Sequence, residues 1–292
     1  MTQQRYSSPA ADEVAPDGSG PFAVELVDAA LAYGARTLWS GLTLAVEPGE
    51  FVAVLGPNGS GKTSLLKVLL GLVLVTRGSV SVAGSPVRRG NPDVGYIPQH
   101  RGLTSHVPLR ARDLVGLGID GHRWGVPWPS RSRNALVDRL LGQVGASSYA
   151  DVPVGRLSGG EQQRLRVAHA LATDPTVLLC DEPLLSLDLH HQRSVVDLLQ
   201  RRTREHGSAV IFVTHEINPI LAATDRVLYI TQGGFRLGDV DEVMTSETLS
   251  ELYRSDVEVI RRGKRLIVVG AGDDEHSHHV DVDVDGRGKA VS

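Results

Sequence analysis

The run Gly56-Pro57-Asn58-Gly59-Ser60-Gly61-Lys62-Thr63 has the composition and spacing of a loop that cradles a phosphate chain. Its glycines let backbone N–H groups turn inward around an anion, and a helix opening at the loop adds its positive dipole end and unpaired N–H groups. Lys62 can then reach the β- and γ-phosphates of a nucleotide, and the Thr63 hydroxyl can take one position on Mg²⁺. A glycine-rich turn with no ligand explains neither the lysine nor the hydroxyl beside it. Such a loop works only between a strand and a helix, and the flanks supply both. Phe51-Val52-Ala53-Val54-Leu55 reads as a buried strand, and residues 64–72, from Ser64, read as an apolar helix.

Two further segments carry chemistry. Val177-Leu178-Leu179-Cys180-Asp181-Glu182 is an apolar strand ending in two carboxylates, which can face different targets. Asp181 suits support of Mg²⁺, and Glu182 could orient or deprotonate a water that attacks the γ-phosphate. In Leu157-Ser158-Gly159-Gly160-Glu161-Gln162-Gln163 a serine and paired glycines open a helix that continues over residues 164–172. This makes a second anion-binding helix start. One phosphate chain does not need two cradles from one subunit, so this one serves a nucleotide held by another copy of the protein.

The surrounding chain has an order that can position these groups. Residues 1–21 are rich in Ser, Pro, Ala, Asp and Gly without periodicity and are expected to be a disordered leader. Strand-like runs at 22–26, 42–46, 51–55 and 79–83 precede a largely helical stretch at 109–171. Then come a buried strand at 177–180, a helix at 195–204, a strand at 209–214, a short helix and a strand at 227–231. This is α/β alternation of the parallel-sheet kind. Residues 271–292 combine His276, His278 and His279 with acidic residues and little apolar mass, and are expected to be a disordered tail.

Composition narrows the function. A chain of 292 residues with 41% apolar content has ample material for a packed core. Its net charge of −4 provides no overall basic field, so no nucleic-acid partner is expected. The one cysteine, Cys180, lies in an apolar run and reads as a packing residue in a reducing compartment. No apolar run approaches the length of a membrane span, and the N-terminus lacks a basic-then-apolar signal pattern.

Phosphate loop, LSGGEQQ, VLLCDE and the later histidine of Val213-Thr214-His215 occur in the order of an ATP-binding cassette (ABC) ATPase, which residues 22–253 resemble. The resemblance implies a P-loop α/β cassette over residues 22–260. It would have a mostly parallel core sheet, an antiparallel β subdomain, a helical subdomain near 100–172 and a strand extension at 261–270. It implies an adenine-stacking aromatic at Tyr33 and ATP contacts from Gly56 to Ser64. It places Thr63, Gln99 and Asp181 near Mg²⁺, with Gln99 also facing a membrane partner. Glu182 and His215 would be catalytic, His215 touching the γ-phosphate. Leu157, Ser158, Gly159, Gly160 and Glu161 would act across a dimer. Ser186-Leu187-Asp188 would be the loop that communicates between subunits. Two departures are Leu184-Leu185 before that loop and Glu161 where glutamine is commonest.

With one cassette, no fused membrane span and no coiled coil, a free-standing subunit docking on a separate permease fits best. The segments Thr214-His215-Glu216-Ile217-Asn218-Pro219, Asp225-Arg226-Val227-Leu228-Tyr229 and Leu249-Ser250-Glu251-Leu252-Tyr253 look like the ATPase subunit of zinc and manganese uptake systems. That implies a homodimer peripheral on the cytoplasmic face of the membrane, a permease and an extracytoplasmic solute-binding protein. Export, import of another solute, and a soluble ABC ATPase working on nucleic acid remain the alternatives. The histidines of the tail suit Zn²⁺ or Mn²⁺, although a solvated acidic end accounts for them as well. His190 and His191 read as a solvated helix face.

Overall fold

The computed structural model describes residues 22–99, 109–121, 130–185, 187–232, 234–263 and 265–270. The leader, the tail and Ser186 lie outside the described residues. The elements in chain order are β1 (Val24–Tyr33), β2 (Arg36–Val46), β3 (Phe51–Leu55), α1 (Lys62–Leu69), β4 (Arg77–Val82), β5 (Ser85–Pro86) and β6 (Val94–Ile97). Then follow α2 (Ala111–Asp120), α3 (Arg131–Gln143), α4 (Gly159–Ala170), β7 (Val177–Asp181), α5 (Leu189–His206), β8 (Ala209–Val213) and β9 (Arg226–Thr231). The described chain continues through β10 (Gly234–Asp239), α6 (Val240–Val243), α7 (Ser246–Tyr253), β11 (Glu258–Arg262) and β12 (Arg265–Val269).

Every residue of β3, β7 and β8 is buried, because both faces of their sheet are covered. Side chains alternate between two hydrophobic clusters as the two-residue period demands. Phe51, Ala53 and Leu55 enter one cluster with apolar residues of α2, α3, α4 and α5. Val52 and Val54 enter the other with α1 and the strands β1, β2 and β4. The central sheet has the order β10-β9-β3-β8-β7-β6, with only β10 running antiparallel. A separate antiparallel sheet, β2-β1-β4-β5, lies against α1. Phe51 stacks on Phe212 with ring centroids 5.6 Å apart, which locks β3 to β8 on the first face.

Some boundaries differ from the sequence pattern for identifiable reasons. α1 ends at Leu69 rather than 72, because Gly71 takes φ 66° and any Cβ there would lie 2.5 Å from the backbone of Arg88. β1 runs far past residue 26, but Asp28 at φ 47° and several register shifts interrupt its alternation. The short helix expected between β8 and β9 is a run of turns over 218–223. Asn218 is tied there to Leu266 of β12 by two hydrogen bonds of 2.9 Å, one to each of its backbone polar groups. The terminal hairpin β11–β12 begins at Glu258, ahead of residue 261.

Candidate functional site

Sheet register brings the chemical groups together. Ile97, Cys180 and Phe212 are adjacent partners on β6, β7 and β8, and Asp181, Val213 and Val54 are partners on β7, β8 and β3. The residues just beyond them, Gln99, Glu182, His215 and Gly56, therefore leave the sheet at the same edge. This is the carboxyl end of parallel strands, where open α/β sheets place their ligands.

The loop after β3 is shaped by its glycines. Gly56 has φ 135°, and a Cβ there would lie 1.9 Å from the carbonyl oxygen of Ile230. Gly61 at φ 105° starts α1 with no side-chain cap, so the first-turn N–H groups have no intrahelical partner. Lys62 is buried and its Nζ donates to the carbonyls of Gly56 (2.6 Å) and Pro57 (2.8 Å), curling the loop around the ammonium. Burial lowers the Lys62 pKa, while Glu182 and Asp181 oppose that shift. Tyr33, Arg36, Leu38, Asn58, Gly59, Gly61, Lys62, Thr63, Ser64, Gln99 and Glu182 surround a cleft of about 390 Å³.

Asp181 is buried at the end of β7 and accepts from Thr63 Oγ1 at 3.3 Å and from the Tyr96 hydroxyl at 3.5 Å. Desolvation raises its pKa above the usual carboxylate range, so it sits where a cation would be welcome. Glu182 has φ 47°, the left-handed region, in a non-glycine residue. Both of its oxygens are engaged: Oε2 accepts from Gln99 Nε2 at 2.9 Å, and Oε1 lies 3.3 Å from His215 Nδ1. The histidine contact lowers the Glu182 pKa and raises that of His215. The residue set fits a magnesium nucleotide, since an uncapped helix start and a lysine face the cleft and the Thr63 hydroxyl contacts a buried carboxylate.

The segment Leu157 to Glu161 is built differently and does not line this cleft. Ser158 caps α4 in a reciprocal box, its Oγ accepting from Glu161 N at 3.3 Å while Glu161 Oε2 accepts from Ser158 N at 2.8 Å. Gln162 anchors the turn by donating to Val154 O and Leu157 O, both at 3.1 Å. Asp188 caps α5. Leu185 and Leu189, on either side of it, are 40% and 74% exposed.

The family model for the ABC transporter matches residues 39–185. The chain belongs to the ABC transporter family. A manganese transport system ATP-binding protein of Halalkalibacterium halodurans is 32% identical over 76% of this chain and 88% of its own length. A zinc import ATP-binding protein of Yersinia pestis bv. Antiqua is 31% identical over 88% and 93% respectively. Among solved structures, the ATP-binding cassette MJ0796, in a dimeric post-hydrolysis state bound to ADP and phosphate, superposes with TM-score 0.64. It is 26% identical and covers 74% of this chain and 98% of that one.

The ABC ATPase binds ATP and hydrolyses it as the nucleotide-binding subunit of a transporter. The structure adds Arg36, which sequence reasoning missed. Arg36 pairs with Tyr33 across the β1–β2 turn, and its Nη2 donates to Gly59 O at 3.1 Å, so it braces the phosphate loop from the antiparallel sheet. A basic residue three positions after the aromatic was the available signal. Tyr96 was also missed, because its hydroxyl reaches Asp181 only once β6 and β7 are paired.

Proposed function

We propose that this cassette powers import of a divalent transition metal, zinc or manganese, through a separate permease. The observation that carries this reading is the pair of relatives named for manganese transport and zinc import, aligned over 88% and 93% of their own lengths. The matches span 225 and 258 residues, more than the family-wide segment at 39–185. Zinc or manganese would be the cargo, delivered by an extracytoplasmic binding protein. The cassette itself would sit on the cytoplasmic face of the membrane, bound to its permease. Among the described residues no helix is long and apolar enough to cross a membrane.

In this reading two copies pair head to tail. The cleft of one, with Tyr33 against the base and Gly56 to Ser64 around the phosphates, receives Ser158, Gly159 and Gly160 of the other. The exposed Leu185 and Leu189 beside Asp188 give that face apolar area for a second copy to cover. Thr63, Gln99 and Asp181 would hold Mg²⁺, which when bound compensates phosphate charge. Glu182 would orient or deprotonate the attacking water, and His215 would contact the γ-phosphate. Both Glu182 oxygens are engaged by Gln99 and His215, so Glu182 would act on the water once those two side chains turn toward nucleotide.

Uptake of radioactive Zn²⁺ and Mn²⁺ by cells lacking this gene tests the cargo. Uptake of one metal should fall and return with the wild-type chain but not with Glu182→Gln. Unchanged uptake of both metals would overturn metal import. Mixing Lys62→Ala with Ser158→Arg tests the dimer, because each inactive chain keeps the half the other lacks. Mixed dimers should regain hydrolysis at one intact site, and mixed dimers that stay inactive would remove the shared-site model.

A further inference from the structure

Outside the nucleotide cleft, three groups able to ligate metal meet where α5 begins. Asp188 Oδ1 accepts from the His191 backbone N–H at 2.9 Å, and Oδ2 lies 2.6 Å from His191 Nδ1. The His190 ring stands edge-on to His191, with centroids 5.4 Å apart and planes at 83°. One ligand atom from each of Asp188, His190 and His191 lies within 4.8 Å of the other two. The three belong to one helical turn and are at least partly exposed, so their side chains can turn toward a common ion. Two imidazoles and a carboxylate are a donor set that Zn²⁺ and related ions accept at about 2.0–2.2 Å, with a position left for water. The Asp188–His191 contact orders the imidazole in advance.

We propose that Asp188, His190 and His191 form a binding site for a divalent transition metal of the zinc class, and that metal bound there slows ATP hydrolysis. The location supplies the second part. Asp188 lies between the exposed Leu185 and Leu189, on the face read above as meeting a second copy. His191 is among the charged groups that lower the Glu161 pKa, well behind the Ser158 hydrogen bonds, so the cluster lies within electrostatic reach of the signature segment. A cation here would tie the Asp188 loop down and add positive charge at a face that must close on each turnover. Metal accumulating after import would then restrain the ATPase that drives its entry. That purpose rests on the metal-import reading, whereas the binding does not.

The test uses the full chain, freed of metal and titrated with Zn²⁺ against a chromophoric chelator. His190→Ala/His191→Ala should bind one Zn²⁺ fewer than wild type, and a second variant, His276→Ala/His278→Ala/His279→Ala, should keep that ion. His190→Gln, which leaves the Asp188 cap and its contact with His191 intact, should weaken the ion about tenfold or more. The wild-type ATPase rate should fall as Zn²⁺ saturates this site, while the double variant keeps its own metal-free rate. Equal stoichiometry in wild type and double variant, or equal inhibition of both, overturns the proposal. Cellular uptake stands apart from these readouts: its failure would remove the import reading and leave the stoichiometry standing.

Discussion

Two helices of this chain begin in glycine-rich sequence and finish their N-termini in opposite ways. α1 starts from Gly61 with no side-chain cap, and the loop before it is curled around the Lys62 ammonium. α4 starts from Ser158 inside a complete capping box, with Glu161 accepting from both the Ser158 backbone N–H and its hydroxyl. An uncapped start keeps its N–H groups available to an anion, whereas a self-capped start is stable alone and must exchange bonds to receive one. The first cradle is ready within one subunit. The second is closed on itself, as suits a group that acts only when another copy arrives.

The comparison breaks most severely at the reacting end of the ready cradle. Glu182→Gln should lower turnover by about 100-fold or more while ATP binding persists, because the amide retains the shape without the basicity. Steady-state hydrolysis with nucleotide-binding and gel-filtration controls measures it, and the variant should accumulate as an ATP-bound dimer. Near-normal turnover would take the base role away from Glu182.

Next come the loop glycines. Gly56→Ala places a Cβ 1.9 Å from Ile230 O at φ 135°, so it should cost about 2–4 kcal/mol in chemical denaturation. At Gly59 a Cβ meets nothing nearer than Arg36 Nη2 at 3.7 Å, and Gly59→Ala should cost only about 1 kcal/mol from its φ of 75°. Equal losses would show that the tight approach to β9 does not shape the loop.

A smaller effect is expected at the self-capped start. Glu161→Gln keeps an acceptor for Ser158 but removes a negative charge from the place proposed to meet a partner's nucleotide. It should tighten ATP-driven dimerisation a few-fold, about 0.5–1 kcal/mol, at a loss in helix stability below about 1 kcal/mol. Sedimentation with and without ATP reads this, and weaker dimerisation would contradict it.

The smallest effect concerns the contact between Glu182 and His215. Its lowered pKa means that the Glu182 contribution to stability is present above the ordinary glutamate value and is lost as pH falls through the lowered one. The raised pKa of His215 means that its contribution is present below the ordinary histidine value and is lost as pH rises through the raised one. His215→Ala should therefore destabilise the chain most between those limits. The loss should stay below about 1 kcal/mol, since the His215 side chain is 57% exposed and solvent screens the pair. Melting curves across pH check this, and a difference that grows above the raised His215 pKa would exclude the ion pair as its cause.

What could be read from the chain followed the range of the forces involved. The phosphate loop, the acidic end of β7 and the serine–glycine start of α4 are contiguous in sequence, so local turn, strand and capping chemistry made them legible. Elements with uninterrupted burial, such as β3 and β8, were legible for the same reason. β1 was only partly so, because its bulges break the alternation. The turns at 218–223 were misread as a helix, because what holds Asn218 is the backbone of Leu266, 48 residues away.

The sequence by itself determined the kind of cassette and the chemistry of its loops, because residue type and near spacing suffice to define an anion cradle. Tertiary structure alone decided which groups share a site. Parallel register across β6, β7, β8 and β3 sets Gln99, Glu182, His215 and Gly56 at one edge, and the β1–β2 turn lends Arg36 to the loop. It also separated Glu161 from the cleft. Such juxtapositions depend on strand pairing and helix packing between distant segments, which no local spacing encodes.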